Sequence, residues 1–282
     1  MRIIAYALFL TLNISFAWAQ TDSVNFKRVE WTKKRIAPGV YLKQAWFRNK
    51  TLFNSNQFIS ILEIKERRKN KFALAYEPKQ KRTTSDFAID KHAVAAINGT
   101  FFDVKNGGSV DFIKAKGRII NENRLDKENK RARHQQAALV INEGKLHIDE
   151  WDGSADWEKK LNGEEVMLTG PLLLHNNKQV ALDSASFNSL RHPRSAIAIN
   201  DHNRVLLITI DGRSANSAGV SLFELRKILR WLHCHDGINL DGGGSTTLWE
   251  NKDGVVNFPS DGGKWDHKTQ RKVANVILVN RN

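Results

Sequence analysis

Leu222, Leu225, Ile228, Leu229 and Leu232 recur at the spacing of one helix face, and Arg226, Lys227 and Arg230 are left for the other. Ser221 followed three residues on by Glu224 has the spacing of a capping box, so the pattern predicts a helix over 221–233 that packs by its leucines. Gly237 is placed to end that helix, with Cys234 still on it. Ile238-Asn239-Leu240 then reads as a short strand buried on both faces, and Asp241 follows directly. Gly242, Gly243 and Gly244 remove three successive side chains where the chain leaves the strand, so backbone there can approach a ligand closely or take positive φ.

Other segments alternate with period two. Residues 40–42 and 58–64 read as strands, and 72–76 follows across a basic turn at 67–71, which together predict an antiparallel sheet opening the fold. Residues 93–97 form a continuous apolar run, a central strand that delivers Asn98-Gly99. Two hairpins are predicted, over 110–120 about Lys116-Gly117 and over 137–148 about Glu143-Gly144, with a polar, aperiodic loop at 121–134 between them. Gly170-Pro171 interrupts the apolar run 166–174 and marks a bend. Residues 196–200 and 205–210 form a strand pair ending in Asp211-Gly212-Arg213, and the apolar closing segment 273–279 reads as an interior strand. The predicted fold class is therefore α/β in the mixed α+β sense: a single domain around a twisted, mainly β mixed sheet with few packed helices. Asn98, Asp211 and Asp241 each place a polar side chain at a strand end with glycine next to it, an arrangement suited to chemistry.

Composition and termini add an address. Arg2, an apolar run over 3–16 and Ala17-Trp18-Ala19 have the form of a signal peptide over 1–19, leaving 20–282 as the expected domain of an exported protein, periplasmic or secreted. The apolar run is too short for a stable membrane-inserted helix. Only one cysteine is present, so no intramolecular disulfide can form, and Cys234 reads as a buried structural thiol. A formal net charge of +14 favours anionic partners, but the basic runs do not form a nucleic-acid module, and nucleic acid is not an expected partner.

Five segments then stand in order: Asn98-Gly99-Thr100-Phe101-Phe102, Arg191-His192-Pro193-Arg194-Ser195, Asp211-Gly212-Arg213, Asn239-Leu240-Asp241-Gly242-Gly243-Gly244-Ser245-Thr246, and Asn257-Phe258-Pro259-Ser260-Asp261 with Arg271-Lys272-Val273-Ala274-Asn275. In this order the chain resembles the phosphodiester glycosidase family, from Phe58 to Val279. The resemblance implies hydrolysis of a sugar-1-phosphodiester, such as an N-acetylglucosamine-1-phosphodiester, at the bond between the anomeric carbon and the phosphate oxygen. It places Asp241 and Asp211 as catalytic candidates, and Asn98, Gly99, Arg194, Arg213, Gly242, Gly243, Gly244, Ser245, Asp261 and Arg271 as substrate-binding candidates. Residue chemistry agrees: a carboxylate can stabilise an oxocarbenium-like transition state, and an arginine fork can hold two phosphate oxygens. His192 is a further acid or sugar-contact candidate.

The expected partner is an anionic phosphoglycan or sugar phosphodiester. No cofactor is required, although the aspartates could hold a divalent cation such as Ca²⁺ or Mg²⁺. Two other classes stay open: an exported carbohydrate- or polyanion-binding module without catalysis, and a metal-dependent phosphodiesterase acting at phosphorus. The sequence leaves the oligomeric state open.

Overall fold

The computed structural model describes residues 21–66, 69–125, 128 and 130–281; the expected leader and two arginines of the 67–71 turn lie outside them. The leucine helix occupies Leu222–Trp231. Its capping box is closed: Glu224 N donates to Ser221 Oγ (3.2 Å) and Ser221 N donates to Glu224 Oε2 (2.9 Å). Leu222, Leu225, Ile228 and Leu229 are fully buried in a cluster with Phe47, Ile59 and Ile208. Burial of that kind stabilises by roughly 1.5–3 kcal/mol per side chain.

The helix stops earlier than Gly237. Leu232 is its C-cap, and His233 takes the left-handed conformation (φ 56°) that turns the chain into a strand, Cys234–Asn239. Gly237 instead lies inside that strand, where a Cβ would come within 2.5 Å of Leu229 Cδ1, so its glycine lets the helix sit close on the sheet. Cys234 opens the strand rather than lying on the helix; it is buried, and burial pushes its thiol up to about 12.

Strand is the predominant regular structure, as the alternation predicts, and the helices are short. Among the described residues every pairing between named strands is antiparallel, and the strands divide into three sheets where one mixed sheet was expected. The eight-stranded sheet runs Thr32–Ala37, Val40–Leu52, Ser55–Lys65, Arg204–Ile210, Arg194–Asn200, Cys234–Asn239, Leu172–His175, Lys178–Gln179. Both predicted hairpins form, Ile113–Ala115 with Arg118–Asn121 and Ala137–Asn142 with Lys145–Glu150, and Glu165–Leu168 joins them in a five-stranded sheet. The third sheet runs Gly254–Val255, Leu248–Glu250, Ala95–Asn98, Asn275–Arg281, Asn70–Tyr76.

Two features explain the division. Gly170-Pro171, a cis peptide, separates the run 166–174 into strands belonging to different sheets. Asn70–Tyr76 crosses to pair with the closing strand Asn275–Arg281 instead of with its sequence neighbour, so the opening sheet contains only the first two of its three predicted strands. The main core lies between the sheets: Leu62, Ile64, Leu74, Ile97, Leu139, Ile197, Ile238 and Ile277 belong to one buried cluster. The ends of Ala95–Asn98 and Cys234–Asn239 and the start of Arg194–Asn200 come together beside it.

Candidate active site

Antiparallel pairing of Arg194–Asn200 with Cys234–Asn239, in which Ala196 faces Asn239, brings the start of one strand to the end of the other. Two further bonds extend the contact past the ladder: Leu240 N donates to Ser195 O (2.9 Å) and Gly243 N donates to Pro193 O (2.8 Å). Asp241 N donates to Gly99 O (3.0 Å), and Asn98 Nδ2 donates to Asp241 O (2.6 Å). The backbone of Asp241 is thus fixed from both sheets. Asp241, Gly242, Gly243, Gly244, Arg194, Arg213 and Arg271 line a cavity of ≈ 210 Å³, together with His192 and Phe187.

The glycine turn is narrow because guanidinium groups crowd it. Gly243 has φ 61°, and a Cβ at Gly244 would fall 2.1 Å from Asp261 Oδ1 and 2.3 Å from Arg271 Nη2. Side chains are excluded here so that backbone and arginines can share one small volume. Arg271 is held from behind by Asp261, with Nε to Oδ2 at 3.0 Å and Nη2 to Oδ1 at 2.5 Å. That two-point pair fixes the plane of the guanidinium and pushes its pKa up. Arg213, in the left-handed conformation (φ 60°), is exposed and makes no hydrogen bond or ion pair among the described residues.

Arg194 is different: its side chain is buried, and its hydrogen bonds go to backbone carbonyls, Nε to Val220 O (3.1 Å) and Nη2 to Phe187 O (2.5 Å) and Leu190 O (3.2 Å). No carboxylate neutralises it among the described residues, and burial pulls its pKa down to about 10, still protonated at neutral pH. His192 has its pKa lowered by burial and by the charges of Arg194 and Arg213, so it is a neutral imidazole at neutral pH.

The Asp241 carboxylate reaches the cavity but is surrounded by protein, and desolvation raises its pKa to about 6, against opposing contributions from Ser245, Arg271 and the Gly242 backbone. Thr246 and Thr247 next to it, and Ser260 beside Asp261, keep buried hydroxyl oxygens without partners among the described residues. Such groups normally bind water or a ligand.

Several sequence candidates sit behind this cavity rather than in it. Asp211 is fully buried, and both its oxygens are engaged: Asn257 Nδ2 donates to Oδ1 (2.8 Å) and Phe258 N donates to Oδ2 (3.0 Å). Burial raises its pKa to about 7. Asn98 is also fully buried, its Oδ1 accepting from Ser195 Oγ (2.7 Å) and Thr247 N (3.1 Å). Gly99 makes room for Asn275, whose Oδ1 would lie 2.0 Å from a Cβ there. Asp211, Asp241 and Asp261 therefore do not converge as a cation cage, and among the described residues no group of three His, Cys, Asp or Glu side chains is arranged for a metal.

Sequence reasoning passed over Asp111. It is fully buried and accepts from Thr100 Oγ1 (3.0 Å), Gln135 Nε2 (2.9 Å) and His134 Nε2 (3.1 Å), and its charge adds to the upward shift of Asp241. It lies in the first strand of the hairpin predicted over 110–120, and His134 closes a segment that reads as solvated loop, so neither carried a local signal.

The comparisons with known proteins bear on the same elements. A family model for phosphodiester glycosidases matches residues 91–280, which include the cavity residues. The mouse N-acetylglucosamine-1-phosphodiester alpha-N-acetylglucosaminidase is 24% identical over 213 residues, 71% of this chain and 40% of that protein; the bovine enzyme is 25% identical over the same share of this chain and 39% of its own. The chain thus spans about two fifths of the length of the curated relatives it matches. Among solved structures, the zebrafish catalytic domain of that glucosaminidase, auto-inhibited by its pro-peptide, superposes with a TM-score of 0.65 at 18% identity, covering 90% of this chain and 88% of that one. A hypothetical protein from Synechocystis gives 0.68 at 15% identity, over 90% and 64%. The chain belongs to the phosphodiester glycosidase family.

Proposed function

We propose that this chain is an exported glycosidase that hydrolyses a sugar-1-phosphodiester at the anomeric C–O bond. The observation that carries the reading is a single desolvated carboxylate, Asp241, sharing a ≈ 210 Å³ cavity with three arginines and a turn stripped of side chains. A phosphodiester brings a negative charge and a sugar brings a carbon that turns positive as its bond breaks, and the cavity offers a complement to each. Arg213 and Arg271 hold the phosphate oxygens, and Arg194 adds positive charge from the wall.

In the reaction the C1–O bond breaks with its electron pair going to the phosphate oxygen, and water supplies the new oxygen at C1. Asp241 stabilises the charge developing at C1. The leaving group is a phosphomonoester, whose anion the arginines stabilise directly, so the cavity needs no strong acid at that oxygen. Asp211 positions the site in this reading: its carboxylate fixes the 257–258 turn that leads to Asp261 and hence Arg271. Export rests on the leader-like residues 1–19.

Hydrolysis of N-acetylglucosamine-1-(methyl phosphate) in ¹⁸O water tests the reaction. Label in the sugar is the expected result. Label in the phosphate would mean attack at phosphorus, and absence of turnover together with retained binding would favour a carbohydrate-binding module.

A further inference from the structure

A second pocket adjoins the cavity and shares Phe187 with it. It measures ≈ 350 Å³, and its walls are largely apolar: Phe101, Val110, Pro171, Ala185 and Phe187. This volume is within the range that encloses small organic groups, about 300–1,000 Å³. Phe187 is 39% exposed on a four-residue helical turn, Ser186–Ser189, an unusual place for a large aromatic side chain. Its ring stands 5.9 Å from that of Phe101, which in turn meets the His134 ring edge-on at 4.8 Å.

Two polar features show a built pocket rather than a gap. His134 is held by the buried Asp111 through Nε2, leaving Nδ1 without a hydrogen bond among the described residues. Asn188, 3% exposed, donates through Nδ2 to Asp183 Oδ1 (2.6 Å) while its buried Oδ1 has no partner among the described residues. An apolar enclosure with a few fixed polar atoms is the usual form of a small-molecule site.

Position indicates which part of a substrate would enter. The Arg194 guanidinium lies 4.9 Å over the Phe187 ring and bonds to the Phe187 carbonyl, so the pocket opens where the phosphate charge is met, while Asp241 belongs to the neighbouring cavity alone. A phosphodiester with its anomeric carbon at Asp241 and its phosphate against the arginines would have room for its second ester beside Phe187, the residue that the two pockets share. We infer that this pocket is a subsite for the aglycone, and that it selects phosphodiesters whose second ester carries an apolar group such as an aryl or longer alkyl chain. The inference rests on the proposed glycosidase reading and adds the chemical class of the leaving group.

The test compares N-acetylglucosamine-1-(benzyl phosphate) with the methyl ester, two leaving groups of similar acidity that differ in apolar size. Wild-type protein should favour the benzyl ester in kcat/KM by about tenfold or more, from burial of one ring. Ala185→Trp, which fills the pocket from an exposed rim position, and Val110→Ser, which makes its wall polar, should each bring the ratio toward one while hydrolysis of the methyl ester is kept. Equal use of both esters by wild-type protein, or an unchanged preference in both variants, overturns the subsite and leaves the glycosidase reading standing. Failure to hydrolyse either ester overturns both.

Discussion

Replacing Asp241 with asparagine keeps the shape of the side chain and removes its charge, and the surroundings fix what this does to two separate properties. Burial raises the Asp241 pKa from 3.8 to about 6. A carboxyl group whose pKa is higher in the folded state binds its proton more tightly there, so the contribution of Asp241 to stability is fully present below 3.8 and is lost as pH rises toward about 6, with no further change above. Roughly two pKa units correspond to about 3 kcal/mol, an upper figure because the carboxylate also meets the cavity. Asp241→Asn removes this titration. Urea denaturation should show the variant more stable than wild type at pH 8, by up to about 3 kcal/mol, with the difference shrinking toward pH 4.

Activity should move the other way. Wild-type kcat/KM should rise with pH through about 6 as Asp241 ionises, and the variant should lose roughly two or more orders of magnitude in kcat with substrate binding much less affected. A variant as stable as wild type at both pH values would show that the carboxylate is not desolvated. Near-normal kcat would remove Asp241 from the chemistry and with it the proposed function.

Arg213→Ala should lower kcat/KM for a sugar phosphodiester by about tenfold or more without moving the urea midpoint, because the side chain has no hydrogen-bond or ion-pair partner among the described residues to lose. Arg271→Lys keeps the charge but breaks the two-point pair with Asp261, and kinetics should fall short of wild type despite unchanged net charge. Gly244→Ala drives a methyl group into that pair and should impair activity at least as much, with the fold intact by circular dichroism. Asp211→Asn turns one of two acceptors toward a donor, either Asn257 Nδ2 or Phe258 N, and should destabilise the protein by about 1–3 kcal/mol in a urea melt.

The sequence made some parts of this molecule legible and concealed others for physical reasons. The leucine helix was readable because its cap and its apolar face are local, repeating signals, and both hairpins were readable from their Lys116-Gly117 and Glu143-Gly144 turns. How strands distribute among sheets was not readable, since Asn70–Tyr76 finds its partner some two hundred residues away in sequence. Asp211 and Asp241 illustrate the same limit within the site. Each is an aspartate at a strand end before glycine, yet one points to Asn257 and Phe258 and the other to a cavity. Their local patterns are equivalent; what lies across from each is set by chain contributed from elsewhere. Asp111, His134 and Phe187 escaped notice because each depends on a neighbour supplied by folding alone.

The guanidinium of Arg194, which no carboxylate neutralises among the described residues, has a consequence for turnover. On the proposed chemistry the substrate enters with one negative charge on its phosphate and leaves as a monoester carrying close to two at neutral pH. A wall of three arginines, one buried among carbonyl oxygens, favours the more highly charged species, so the phosphorylated product is held more firmly than the diester that generated it. Release of that product, rather than bond breaking, would then set the steady-state pace, and accumulating phosphomonoester would slow the protein well before its substrate ran out.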